Sequence, residues 1–597
     1  MTSTATAADP DALQPRSRRT AVDGLVLAVL PVAVFVLMRV QPMARVMSVD
    51  PTFYTGYIDQ GPDLIARYGT DRYFWARVGM VVPGRITNLV FGPVAGFYML
   101  RYVFAILVSG AAYLLFRRLW GRSAGLIAAL VMLVNPVVLR AWTSDYPDGA
   151  TITYLLAGIC FLLMPARRRL PWVTAAAACL TLAVHSNVFA ASLVLATLAG
   201  YSAMVIWGTA LGTAVRQLLW EGAVVVGVFL GLSLTLAVLA EVLVGAGNIL
   251  HPTVLAMREV RDGLLDDYHS QTLRWLLRET QLWVVPLNLA LWVVLSRRPT
   301  VRPTRHERSI VLISALHYAF FAAWQFFNRG QTLENYLYAS WLWASGSLLA
   351  AVVLNRIWMA IPRSRTVAVA AVAIVGVPLI FRSLAADLQF LALPWVPLIL
   401  IVSIGIVSLA ARLRSPSWLG PVAQTVVVVT ATYVLTTGKP QGLPLLPGSA
   451  LQPQASYGDV FLNADDRYLE IYRIATALPE ALSETDDEPG RLLTWWSHDA
   501  PDLVEYASAM YLWRINSVMG FDFESPGLPE LTSWERSALS ADPPRFIVLL
   551  GSDDTEFPAA VETLAAAGLA PHPSPTRTLR SGGLELSVAL VELESAK

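Results

Sequence analysis

The sequence predicts a polytopic α-helical membrane protein with about thirteen transmembrane helices and a C-terminal extracytoplasmic α/β domain. Two observations carry that reading. Of 597 residues, 55% are hydrophobic and only 15% charged, with a mean hydropathy of +0.53, whereas ordinary globular chains carry roughly 25% charged residues. Apolar runs of about 17 to 25 residues, long enough to cross a hydrocarbon core as a helix, recur from residue 23 to 436 and then stop.

The expected spans are 23–41, 97–116, 123–141, 149–164, 170–185, 188–207, 219–244, 281–296, 308–326, 336–354, 365–381, 391–411 and 418–436. Arg16, Arg18 and Arg19 precede the first run as they would in a signal peptide, but no small-residue cleavage site follows, so it is read as a retained helix. Basic clusters then fall at alternate ends of the spans: the N-terminal tail, Arg117/Arg118/Arg122, Arg167 to Arg169, Arg216, Arg297 to Arg308, Arg356 to Arg365, and Arg412/Arg414. Positive charge stays on the cytoplasmic side. The seven clusters therefore predict a cytoplasmic tail over 1–22, a transmembrane domain over 23–436 and an extracytoplasmic domain over 437–597, in a bacterial inner (plasma) membrane.

The outward segments hold the informative polar residues. The first, 42–96, is punctuated by Pro and Gly and predicts amphipathic surface helices, as does the charged stretch within 246–279. The tail opens with the linker GKPQGLPLLPGSALQPQ, and its RLLTWW (491–496) and RFIVLLG (545–551) read as strands of a small α/β domain. Composition excludes other classes. A net charge of +1 gives no basic field for nucleic acid. Cys160 and Cys179 sit inside apolar runs as small hydrophobes, and no P-loop, dinucleotide fingerprint or metal-type Cys/His spacing is present.

Asp50, in DPTFYTGY past the first span, and Asp145 and Asp148, in SDYPDG between the third and fourth, can share one outward-facing cavity. A partly desolvated carboxylate makes a general base for an acceptor hydroxyl. DPT and YPDG are equally good turn sequences, so local chemistry leaves both readings open.

The order of an acidic motif after the first helix, a long loop, then RYVFAILVSGAAYLLFRRLWGRSAGLIAALVMLVNPVVLRA, then an acidic turn opening the next helix, resembles the GT-C superfamily of membrane glycosyltransferases. The likeness is to the branch of the protein O-mannosyltransferases and the lipid A aminoarabinose transferase, and is clearest over about 40–165. The resemblance implies an inverting transferase that takes a sugar from a polyprenyl-phosphate donor and works on the outer face of the membrane, with a cell-envelope glycan, glycolipid or protein as acceptor. The catalytic acid of the family's first loop falls on Asp50. The acid opening the fourth helix falls on Asp148, with Asp145 beside it. Where members commonly carry Asp-Glu or a second Asp, this chain has Asp50-Pro51; no cofactor is assigned, and a divalent cation stays open.

A donor phosphate needs cations or oriented N–H groups. Candidates are Arg77 and Arg85 in the first loop, Arg258 and Arg261 after the seventh span, and Arg329 before the tenth, each of which also reads as an interfacial arginine. His185, in AVHSNVF, is placed to bond substrate or to cap a turn. Glu334, Asn335 and Tyr336, in QTLENYLY, are placed to hold sugar hydroxyls, while the nearby Trp324, Tyr338, Trp341 and Trp343 fit an interfacial belt. The competing function is a transporter or flippase for a lipid-linked glycan, which would place ionisable groups near mid-membrane; here Glu221 and Glu241 are among the few acids so placed. A non-catalytic scaffold is the third reading.

Overall fold

The structure is a computed structural model, and it describes residues 18–37, 50–71, 73–134, 138, 141–142, 147–259, 281–296, 303–327, 340–360, 470, 473–474, 477–478, 492–497, 527–541 and 543–594. The expected spans 365–381, 391–411 and 418–436, the linker that follows them and the domain boundary at 437 lie outside these residues.

The helices follow in order, with α2, α3 and α10 in the two long segments between apolar runs: α1 (Arg18–Leu37), α2 (Asp50–Tyr68), α3 (Val78–Phe91), α4 (Pro93–Trp120), α5 (Arg122–Val134), α6 (Asp148–Leu162), α7 (Leu170–Ser186), α8 (Ala190–Gly208), α9 (Leu211–Val244), α10 (Leu250–Glu259), α11 (Gln281–Ser296), α12 (Arg305–Phe327) and α13 (Leu342–Ala360). Among the described residues, four of these are long and apolar enough to cross a membrane: Pro93–Trp120, Ala190–Gly208, Leu211–Val244 and Arg305–Phe327. Several helices outrun the apolar windows that announce them. Helix α4 gains a turn at each end because Pro93 suits a first helical turn and Arg117 and Arg118 continue the last one. Helix α9 starts at Leu211 rather than 219, since its first turns carry Arg216 and Gln217 without breaking the helix.

One end of the bundle gathers charged pairs. Asp23 of α1, 1% exposed, accepts hydrogen bonds from Tyr113 and, at 2.7 Å, from Arg122, with Arg117 at 3.5 Å. Arg118 reaches the carbonyl of Pro165, and Arg169 closes the C-terminal end of α6 through the carbonyls of Leu162 (3.0 Å) and Met164 (2.8 Å). Arg169 also meets Glu221 at 3.1 Å and Tyr201 at 2.8 Å. Glu307 and Arg356, both buried, pair on α12 and α13, and Trp292 donates to the same carboxylate at 2.6 Å. Three of the basic clusters read from sequence thus contribute arginines to this end, and the buried one, Arg356, has a carboxylate partner that offsets the cost of its burial.

The opposite end is built on close helix approach. A Cβ at Gly96 of α4 would lie 2.2 Å from Asn88 Oδ1 and 2.6 Å from Asn88 Cα, and one at Gly79 of α3 would lie 2.4 Å from the carbonyl of Leu182 in α7. Only glycine allows α3 to wedge between α4 and α7.

The C-terminal region is a sheet in the order β1-β2-β5-β3, with β4 also on β5. Strand β1 (Leu492–Trp496) runs parallel to β2 (Phe546–Gly551) in the register Leu492↔Phe546, and β3 (Ala570–Pro573) and β4 (Arg577–Ser581) are antiparallel to β5 (Leu584–Glu594), as is β2. A parallel pair needs a long crossover; α14 (Ser533–Ala541) lies within it, opened by a reciprocal cap in which Thr532 N–H donates to Glu535 and Glu535 N–H to Thr532 Oγ1. Helix α15 (Phe557–Ala566) packs Phe557, Ala560 and Leu564 onto Trp495, Ile547 and Leu549. Both strands expected from RLLTWW and RFIVLLG are present.

Candidate active site

Asp148 is the first residue of α6 and is fully buried. Pro147 fixes the backbone before it, and an acid in the first turn is favoured by the helix dipole. Local side chains brace this start. Thr151 Oγ1 donates to the carbonyl of Pro147 at 2.9 Å, Thr153 Oγ1 to that of Gly149 at 2.6 Å, and Trp142 Nε1 to Thr153 Oγ1 at 2.8 Å. A Cβ at Gly149 would lie 2.3 Å from the carbonyl of Ala141, so the preceding chain passes directly against the helix start.

A buried carboxylate needs hydrogen-bond donors. Trp341, 2% exposed and just ahead of α13, donates its indole N–H to Asp148 Oδ1 at 2.8 Å. Around Trp341 stands an aromatic wall: Phe189 at 6.2 Å and Phe321 at 6.4 Å between ring centroids, continued by Trp324, which is 6.2 Å from Phe189 and 6.1 Å from Phe320. Trp324 and Trp341, which from sequence fit an interfacial belt, are therefore part of the packing beside the acid. The wall lowers the polarity around the carboxylate and gives the site a flat apolar side.

Arg101 was not singled out from sequence. It is the one charge in the stretch 93–116 of α4, is 2% exposed, and donates Nη1 to the carbonyl of Phe97 at 3.2 Å with its guanidinium 5.6 Å from the Phe97 ring. Helices α4 and α6 run side by side in the same direction, with the rings of Phe104 and Tyr154 5.7 Å apart. Arg101 lies one turn from that contact toward the Asp148 end. An ionisable group inside an apolar helix marks function by default, and that signal was available in the sequence.

The other candidates divide. Asp50 opens α2; its side chain, together with Asp145, Arg261, Arg329, Glu334, Asn335 and Tyr336, lies outside the described residues. Arg77 is half-buried ahead of α3, 5.5 Å from the ring of Tyr73. Arg85 donates to the carbonyls of Ile58 and Asp59 in α2. His185 turns to α9, with Nε2 2.8 Å from Ser233 Oγ and its ring stacked on Phe229. Arg258 is exposed on α10, the helix whose His251 lies 3.4 Å from Asp71 and so joins the second long loop to the first. Among the described residues, no three His, Cys, Asp or Glu side chains converge in a way that could hold a metal ion. The structure thus places Asp148, Trp341 and the aromatic wall in one site, and places Arg85 and His185 on neighbouring helices.

No protein-family model matches the chain, and neither does any curated protein. Similar solved structures include that of ArnT from Cupriavidus metallidurans in the apo state, at 15% identity and a TM-score of 0.47, covering 96% of this chain and 98% of that one. ArnT bound to undecaprenyl phosphate is similar at 13% identity and a TM-score of 0.44, with 96% and 98% covered. The archaeal oligosaccharyltransferase AglB from Archaeoglobus fulgidus, in complex with an inhibitory peptide and a dolichol-phosphate, is similar at 12% identity and a TM-score of 0.42, with 89% and 70% covered. All three TM-scores lie below 0.5.

Proposed function

We propose that the chain is an inverting membrane glycosyltransferase that moves a sugar from a polyprenyl-phosphate donor to a cell-envelope acceptor on the outer face of the membrane. The observation that carries this reading is the buried Asp148 carboxylate, held by Trp341 against an aromatic wall at the end of the bundle opposite the paired arginines. A carboxylate sequestered there, with a buried Arg101 on the neighbouring helix, suits a polar reaction at the mouth of an apolar bundle.

The roles follow from what the reaction needs. Asp50 takes the proton of the acceptor hydroxyl, whose oxygen attacks the anomeric carbon from the face opposite the phosphate. The bond from that carbon to the phosphate oxygen breaks, and polyprenyl phosphate leaves with the electron pair. Asp148 orients acceptor or donor, with Asp145 as its near neighbour. Arg77 is the first-loop cation for the departing phosphate, with Arg258 and Arg261 approaching from the second loop. His185, Glu334, Asn335 and Tyr336 are assigned to the sugar and acceptor hydroxyls. The paired-arginine end faces the cytoplasm, and residues 437–597 lie outside and position the acceptor.

The test supplies proteoliposomes with a radiolabelled mixture of polyprenyl-phosphate sugars and envelope acceptor. The proposal expects a glycoside of anomeric configuration opposite to the donor's, together with free polyprenyl phosphate. Labelled lipid crossing between leaflets with no glycoside formed would overturn it in favour of a lipid-linked glycan transporter.

A further inference from the structure

Helix α2 is interrupted at Gln60, whose φ of −133° and ψ of 34° leave the helical region. Pro62 supplies the cause, because it has no N–H to give the carbonyl of Ile58 four residues back and its ring crowds that carbonyl. Two backbone oxygens at the break, those of Ile58 and Asp59, are answered from α3 instead. Arg85 Nη1 donates to Ile58 O at 3.2 Å and also to Asp59 O. One turn further along α3, Asn88 Nδ2 donates to Asp59 Oδ1 at 2.6 Å. Gly84 makes this reach short, since a Cβ there would lie 2.7 Å from the end of the Ile58 side chain.

We infer that Arg85 is a positioning residue that stands in for the N–H Pro62 lacks, and thereby fixes the direction of the half-helix that Asp50 opens. The inference rests on the proposed function in one respect, that this half-helix carries the base. The lever is long. Asp50 begins the helix ten residues before the break, so a swing of about 10° at the break moves it by roughly 2.5 Å at 1.5 Å rise per residue. Displacements of about 1 Å cost up to 100-fold in rate. Both bonds leave one nitrogen, Nη1, and the planar guanidinium loses less freedom per bond than the flexible ammonium of lysine, which accounts for an arginine here without recourse to a ligand phosphate.

The test is a cycle of Arg85→Ala, Pro62→Ala and the double variant in the full chain, read by sugar transfer and by amide hydrogen exchange over residues 54–59. Arg85→Ala is expected to lower kcat about tenfold or more, to leave the KM for the lipid donor within about threefold, and to speed exchange. Pro62→Ala, by restoring an N–H to Ile58, is expected to return most of both losses in the double variant. Arg85→Lys serves in place of Arg85→Ala if the latter does not fold, with a smaller loss of the same kind. A raised donor KM at unchanged kcat, with no relief from Pro62→Ala, would overturn the inference and make Arg85 a phosphate ligand; so would an Arg85→Ala that changes neither readout. If the wild type transfers no sugar, the glycosyltransferase reading has failed, and exchange alone decides: faster exchange reversed by Pro62→Ala keeps the clamp, and unchanged exchange removes it.

Discussion

The indole nitrogen of Trp341 lies 2.8 Å from Oδ1 of Asp148, so the first turn of α6 is tied to the residue that leads into α13 across 193 residues of sequence. Trp341→Phe keeps an aromatic ring in the wall and removes the donor. It is expected to lower kcat by about ten- to a hundredfold and stability by about 1–3 kcal/mol, the cost of leaving a buried acceptor short of a partner. Steady-state transfer and a melt in detergent measure the two. An unchanged kcat would show that the bond is not part of the site.

The pair Glu307 and Arg356 gives a second expectation. Both side chains are buried, and Glu307 also caps α12 by accepting from Thr304 N–H at 3.3 Å while its own N–H donates to Thr304 Oγ1 at 3.2 Å. Arg356→Met leaves a buried carboxylate uncompensated and is expected to cost about 3–5 kcal/mol, whereas Glu307→Leu with Arg356→Met costs less than the single change. Melting midpoints of the three variants decide it, and a double variant less stable than Arg356→Met would contradict it.

Helix approach at the end opposite the paired arginines sets a third. Gly96→Ala places a methyl against the backbone of Asn88 and is expected to cost about 1–3 kcal/mol through overpacking. Gly222→Ala meets nothing within 4 Å and is expected to be neutral or to stabilise by up to about 1 kcal/mol. Equal melts for the two variants would show that α3 and α4 have room to part.

Sidedness is read by labelling. Cys160 and Cys179 are buried, so single cysteines can be introduced beside them. Ser552→Cys, exposed at the end of β2, is expected to react with a membrane-impermeant maleimide on intact cells. Thr213→Cys, exposed at the start of α9, is expected to react only after permeabilisation. The reverse pattern would invert the orientation.

What the sequence made legible was local. The run 170–185 is apolar between Arg169 and Asn187, and α7 occupies Leu170–Ser186; RFIVLLG reads as a buried strand and is one, with five of its residues buried. Partnerships across long separations left no periodic trace. Pro62 announces a break in α2, but the Arg85 that satisfies it stands 27 residues from Ile58, whose carbonyl it meets. Trp341 reads as a belt tryptophan because hydropathy records what a side chain is and not what it meets. Of the candidate site, Asp148 was legible as an acid opening a helix after a turn, and its donor and aromatic wall were not. Arg101 could have been read as a lone charge in an apolar run, since a membrane helix tolerates such a residue only where it is paired or used.

The central claim is that a carboxylate at the start of α2 takes the acceptor proton. Single-turnover transfer from preloaded polyprenyl-phosphate sugar, comparing wild type with Asp50→Asn and measuring donor binding on the same samples, tests it most directly. The expected result is donor binding within about threefold of wild type with transfer lowered by about a thousandfold or more, as suits removal of a general base. Transfer at the wild-type rate by Asp50→Asn would contradict the claim and move the base elsewhere in the site.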